Sequence, residues 1–304
     1  MGQAEILDTW LDFSRYWRLA RFRTLDEQIL LWQTAYMENY PELLRKQVKN
    51  YEQEGLKWKD VARKIFPSFQ NRFRLMRKAR NNILRLYENV YLKAVENLGI
   101  EFDVIFIVYV GVGCGAGWAD LHEGKPAVLL GLENVAEERW HTRRKLEGLM
   151  AHEIGHLTHM FWRGEQQLFE EAEGNPLLQL YVEGFAQRCE HIVLGKETWH
   201  MAQDREWLSW CKKHKRWLAK EFLNRVKAQA QTREFFGSWF SIKDKKQTGY
   251  FLGHEFIHAL EKARDLKEIA LLKSENVQKL GIKFLERLAE DSPSFKRQIC
   301  QILL

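Results

Sequence analysis

Apolar residues recur at three- and four-residue steps through most of this chain, the spacing that lays a single stripe along an α-helix. From Ile6 to about Asn97 they fall at Leu7, Trp10 and Leu11, at Leu25, Ile29 and Trp32, and at Ile83, Leu86, Tyr87, Val90, Tyr91 and Val95. The region therefore reads as several helices, punctuated by Pro41 and Pro67. After Glu101 the texture changes: Val104 to Val110 is an unbroken apolar run, as in a buried strand. A glycine-rich loop (GVGCGAGW), a turn at Gly124 to Pro126 and a second strand (AVLLGLEN) follow. Leu146, Leu149, Met150, Ile154, Leu157, Met160 and Phe161 return to helical spacing, with Gly164 as the stop. Pro176 opens another helix, LLQLYVEGFAQRCEHIVLG. Beyond Trp199 come a Trp- and Lys-rich helix, a loop around Gly237, the segment QTGYFLGHEFIHALEKA and a polar amphipathic tail. The pattern predicts an α+β fold, predominantly helical, with a helical region over 1–99 and the sheet, the candidate chemistry and a helical C-terminal part over 100–304.

Composition narrows this picture only modestly. The chain has 304 residues, 45% of them hydrophobic and 13% aromatic, ample for a packed core. No stretch reaches the roughly 18 apolar residues of a membrane span, and the first residues mix charges into an amphipathic pattern, so a cytoplasmic protein without a transmembrane segment is expected. Cys114, Cys189, Cys211 and Cys300 form no CxxC pair, so reduced thiols are expected and a cysteine-built metal site is not. The net charge of +6 permits an acidic partner without demanding one. Between Asp60 and Glu88 no acidic residue occurs, while Arg63, Lys64, Arg72, Arg74, Arg77, Lys78, Arg80 and Arg85 are interleaved with Phe66, Phe69 and Phe73. A nucleic-acid or anionic-membrane patch would look like this. So would a solvated helix face with its phenylalanines turned inward, the favoured reading in the absence of a binding motif.

The candidate chemistry lies in LEGLMAHEIGHLTHMFW. On a helix, His152 and His156 stand one turn apart on one face and can point two imidazole nitrogens at a metal ion about 2.0–2.1 Å away. Glu153, at the edge of that face, is placed to take a proton from a water rather than to ligate. A catalytic zinc needs a third protein ligand, and Glu183, on the next long helix and beside Gly184, is preferred; Glu165, Glu170, Glu171, Glu173, Glu190 and His191 are rivals. The longer pattern H-E-x-x-H-x-x-G-x-x-H fails, since His159 and Trp162 stand where Gly and His would be required. His159 reads as a group outside the ligand set. His254, Glu255 and His258 make a second HExxH, set apart from the first by the absence of an EG-type helix downstream. Tyr250, His254 and His258 share a helical face, so Tyr250 or His254 could steady a developing oxyanion. For Cys114, an inert thiol is favoured over a nucleophile.

Taken together, VYVGVGCGAG, PAVLLGLEN, HEIGH, LYVEGFA and TGYFLGHEF resemble a bacterial family of predicted zinc-dependent proteases, catalogued as a domain of unknown function, within the gluzincin group of HExxH-plus-Glu metallopeptidases. The resemblance covers roughly residues 100 to 265. It implies a zincin-like fold with a small sheet packed on the HExxH helix, zinc held by His152, His156 and Glu183, and Glu153 as general base. It further implies that AVLLGLEN is the edge strand along which a peptide lies antiparallel, and that GYFLG has no metal role. The expected activity is zinc-dependent hydrolysis of a peptide or protein substrate, with Tyr250 or His254 assisting. The alternative is an inactive zincin-like binding module whose basic N-terminal helices contact nucleic acid or a protein partner.

Overall fold

A computed structural model of the chain describes residues 2–53, 55–202 and 204–290. It is α+β and mostly helical, with one four-stranded sheet. Two compact units divide between Leu157 and Thr158.

The first unit opens with β1 (Ala4–Asp8), then α1 (Trp10–Ala20), α2 (Leu25–Leu31), α3 (Pro41–Gln53), α4 (Trp58–Ile65) and α5 (Phe69–Leu98). After these come β2 (Val104–Tyr109), β3 (Trp118–His122), β4 (Lys125–Gly131), α6 (Leu132–Glu137) and α7 (Arg143–Arg163), whose last turns belong to the second unit. The sheet order is β1-β2-β4-β3, with β2 parallel to both β1 and β4 and β3 antiparallel to β4. Ile6 faces Phe106, which in turn faces Val128.

Three features depart from the sequence reading. Ala4–Asp8 is a strand, not the start of a helix: five residues are too few for periodicity to decide, and the buried β2 beside them offers its backbone. The Val104 amide donates to the Gln3 carbonyl and the Thr9 amide to that of Val108, both at 3.0 Å. Second, β3 was not foreseen. Its sequence, WADLH, mixes apolar and polar residues and is at most half-buried until His122, as suits an outer strand with one neighbour. Third, β4 is not the edge strand. It lies between β2 and β3 with Ala127 to Gly131 buried, which is why it reads as a continuous apolar run, and the residues LEN begin α6.

Helix α5 packs against β1, β2 and α6, burying Phe69, Met76, Ala79, Ile83, Val90 and Ala94. At the other end of the unit's helices Phe13 gathers an aromatic cluster with Trp10, Tyr16, Tyr36, Phe69 and Phe73.

The second unit is helical: α8 (Gln167–Gly174), α9 (Pro176–Leu194), α10 (Trp207–Lys227), α11 (Arg233–Phe236), α12 (Thr248–Leu260), α13 (Leu266–Ala270) and α14 (Ser274–Glu290). Helix α9 starts where expected because Pro176 suits the first turn and the Asn175 side chain accepts from the amides of Leu177 and Leu178. It stops at Gly195, which takes the left-handed conformation (φ 64°). Helices α9 and α12 cross at Gly184 and Gly253: a Cβ on Gly184 would lie 2.2 Å from the carbonyl carbon of Gly253. No helix among the described residues is long and apolar enough to cross a membrane.

Candidate functional site

Helix α7 carries HEIGH in a setting that removes it from water. Leu149, Met150, Ala151 and Ile154 are buried around it, His152 is 2% exposed and Glu153 5%. The rings of His152 and His156 are 4.8 Å apart between centroids with their planes at 80°, one turn apart on one face as the spacing predicts. The Glu153 carboxylate reaches to Gly117, the residue before β3: a Cβ built on Gly117 would stand 2.8 Å from Glu153 Oε1 and 2.8 Å from Leu149 Cδ1. The loop and the start of β3 therefore lie against the helix that carries the histidines.

Within the first unit, Glu42, His122 and Glu123 offer ligand atoms within 4.8 Å of one another. His152 and His156 supply two imidazoles from α7, and Glu183, the third ligand expected from the sequence, lies on α9 in the second unit; two imidazoles with one carboxylate are the donors of a zinc site. Glu190, a rival ligand in the sequence, also lies on α9 and is joined there by His200, which the sequence reading missed. Glu190 Oε2 pairs with His200 Nδ1 at 2.7 Å, and both side chains are buried. His200 sits in the connection after α9, where no spacing rule ties it to another donor.

The second HExxH is arranged differently, with its two rings farther apart than those of His152 and His156. The two rings stack at 6.1 Å, His258 is largely exposed, and its Nδ1 lies 3.3 Å from Glu261, which also binds Arg188. His254 packs on His191 at 4.5 Å and on Trp199 at 5.2 Å. Burial pushes His191 down to about 4, with His254 adding to the effect. Tyr250, one turn before His254, has its ring 6.0 Å from Phe236 and 6.5 Å from His200. His159 is a core residue, fully buried and stacked on Phe185 at 4.1 Å with Tyr181 and Phe169 edge-on.

The glycine-rich loop is held by a carboxylate that the sequence reading did not single out. Glu133, in the first turn of α6 and fully buried, accepts from the amides of Gly111 (2.8 Å) and Gly113 (3.0 Å). Desolvation outweighs these hydrogen bonds and raises its pKa to about 7. Cys114 in this loop is half-buried, with Sγ 3.7 Å from the Gln47 carbonyl oxygen. Cys189 and Cys211 are buried free thiols, pushed above their ordinary range by that burial. Cys300 lies outside the described residues.

Of the basic residues between 63 and 85, Arg63 pairs with Asp26 and Asp60, Arg72 with Glu137 and Arg80 with Asp8, while Phe66 and Phe69 are buried and Phe73 is half-buried.

Comparison of the chain with protein-family models, curated proteins and solved structures returns no match.

Proposed function

We propose that the chain is a zinc-dependent peptidase of the gluzincin type, with a zincin-like arrangement of sheet and HExxH helix. The observation that carries this reading is the pair of imidazoles on one face of α7, His152 and His156 with ring centroids 4.8 Å apart, and the Glu153 carboxylate buried on the same helix. Glu183 is proposed as the third ligand; two imidazoles and a carboxylate are the composition of a catalytic rather than a structural zinc site. Zinc, when bound there, polarises a carbonyl and lowers the pKa of a water towards about 7.

Glu153 would hold the proton taken from water at its carboxylate and deliver it to the leaving amine. Burial against Leu149 and the Gly117 backbone confines its carboxylate, so the base is oriented before substrate arrives. Of the two groups proposed to steady the oxyanion, Tyr250 is the stronger. The His254 ring is occupied with His191 and Trp199. The substrate strand is assigned to β3, not β4: β3 is the outer strand, and Gly117, which leads into it, adjoins the base.

The test is metal content and peptide hydrolysis measured together. Glu153→Gln is expected to keep its zinc and lose hydrolysis of a peptide library by at least about 100-fold. Undiminished hydrolysis by that variant sinks the proposal, as does a purified wild-type chain that hydrolyses peptides equally well after chelation.

A further inference from the structure

The first unit holds another set of donors that peptide hydrolysis does not use. Glu42 lies in the first turn of α3, His122 is the last residue of β3, and Glu123 begins the tight turn to β4. Glu42 is distant in sequence from the adjacent His122 and Glu123, yet one ligand atom of each lies within 4.8 Å of the others. His122 is 7% exposed, and its Nδ1, wholly buried, makes no hydrogen bond among the described residues. That nitrogen faces Glu42 Oε1 at 3.7 Å. The distance is too long for a hydrogen bond. It is close to the separation of about 3.4 Å between two ligands of one tetrahedral ion bound at 2.0–2.1 Å.

The carboxylates are positioned by the fold. Glu42 Oε2 accepts from the Glu123 amide at 3.0 Å, which ties α3 to the hairpin. Glu123 and Gly124 are left-handed, with φ of 49° and 77°, so the tight turn fixes the Cα of Glu123 beside Glu42. Charge also favours a cation. Glu42, Glu123 and Asp120 crowd a region where Lys46 is the counter-charge; it is hydrogen-bonded to Asp120 and 3.6 Å from Glu42. Three carboxylates against one ammonium leave a surplus of negative charge.

We propose that Glu42, His122 and Glu123 form a second divalent-cation site, with water completing the coordination, that staples α3 to the β3–β4 hairpin. The imidazole donor selects a borderline ion of the zinc type over magnesium or calcium. This proposal stands without the peptidase assignment.

The test titrates Zn2+ into the chelator-stripped full-length chain, with zinc bound per chain counted by equilibrium dialysis and elemental analysis. His122→Gln is expected to bind one zinc fewer than wild type, and His152→Ala to retain the zinc held at His122. Glu123 is exposed, so Glu123→Gln tests the site without disturbing the core; it should weaken the affinity of this site at least tenfold. In 15N-labelled protein the His122 imidazole resonances should move on zinc addition and stay still in Glu123→Gln. Equal zinc stoichiometry in wild type and His122→Gln, or His122 resonances indifferent to zinc, overturns the proposal. Loss of one zinc in His122→Gln supports it even if the His152 site proves empty of zinc.

Discussion

Gly117 touches Glu153. Its missing side chain leaves the space that the carboxylate occupies, since a Cβ there would be 2.8 Å from Oε1 and 3.1 Å from Cγ. The neighbours that would have to yield are the ends of two flexible side chains, Glu153 and Leu149, so the fold can absorb the change at small cost. The base cannot absorb it without moving. Gly117→Ala is expected to leave the unfolding midpoint within a few degrees of wild type and to lower kcat/KM for peptide hydrolysis by on the order of 100-fold, the cost of displacing a catalytic group by about 1 Å. Steady-state kinetics beside a thermal melt separates the two effects. Full activity would remove Glu153 from the reaction or Gly117 from its shape.

Two buried groups set opposing pH dependences. Glu133 has its folded pKa raised from 4.5 to about 7, so its contribution to stability is present below pH 4.5 and is lost as pH rises to 7. His191 has its folded pKa lowered from 6.5 to about 4, so the neutral ring's contribution is present above pH 6.5 and is lost as pH falls to 4. At 1.36 kcal/mol per unit each is worth roughly 3 kcal/mol, with opposite sign over almost the same window. Single substitutions should unmask them. Between pH 4.5 and 7, Glu133→Gln is expected to gain stability relative to wild type as pH rises, and His191→Gln to gain relative to wild type as pH falls. Urea titrations at several pH values check this, and parallel curves for all three proteins would contradict it. Any fixed cost of the glutamine shifts a curve without tilting it.

The crossing of α9 and α12 tolerates no side chain. A Cβ on Gly184 meets backbone atoms of Gly253 at 2.2 Å, and one on Gly253 meets the Leu180 carbonyl oxygen at 2.4 Å. Backbone cannot swing aside as a side chain does. Gly184→Ala is therefore expected to destabilise the second unit by roughly 1–3 kcal/mol or more despite alanine's better helix propensity. Gly253→Ala should cost a similar amount. Denaturant midpoints measure both, and a stabilised Gly184→Ala would contradict the contact.

What was legible in the sequence was whatever a regular period could carry. HEIGH, its surrounding leucines and the Gly164 stop define α7; Pro176 and Gly195 bracket α9, and the Gly beside Glu183 anticipated the close crossing. The outer strand β3 escaped because it is short, mixed in polarity and half-buried, so neither alternation nor an apolar run announces it. With β3 unseen, β4 was taken for the edge. Glu133 and His200 escaped for another reason: each gains its role from partners that only the folded chain brings near, the Gly111 and Gly113 amides for one and Glu190 for the other.

The two HExxH motifs make the same promise in sequence and keep it differently. The rings of His152 and His156 stand 4.8 Å apart on one face of α7, whereas His254 stacks on His191 and His258 turns outward to Glu261. A motif supplies two imidazoles; only a third donor on another element makes a tight site, because two ligands from one helix bind a solvated ion weakly. His152→Ala is therefore expected to lose the catalytic zinc and with it all peptide hydrolysis, while His258→Ala, at an exposed position, should change neither. His254→Ala should keep the zinc and cost stability through the loss of its contacts with His191 and Trp199. Elemental analysis of the three purified variants decides the matter. Hydrolysis and the zinc it needs surviving His152→Ala and lost in His254→Ala would move the reaction to the second motif.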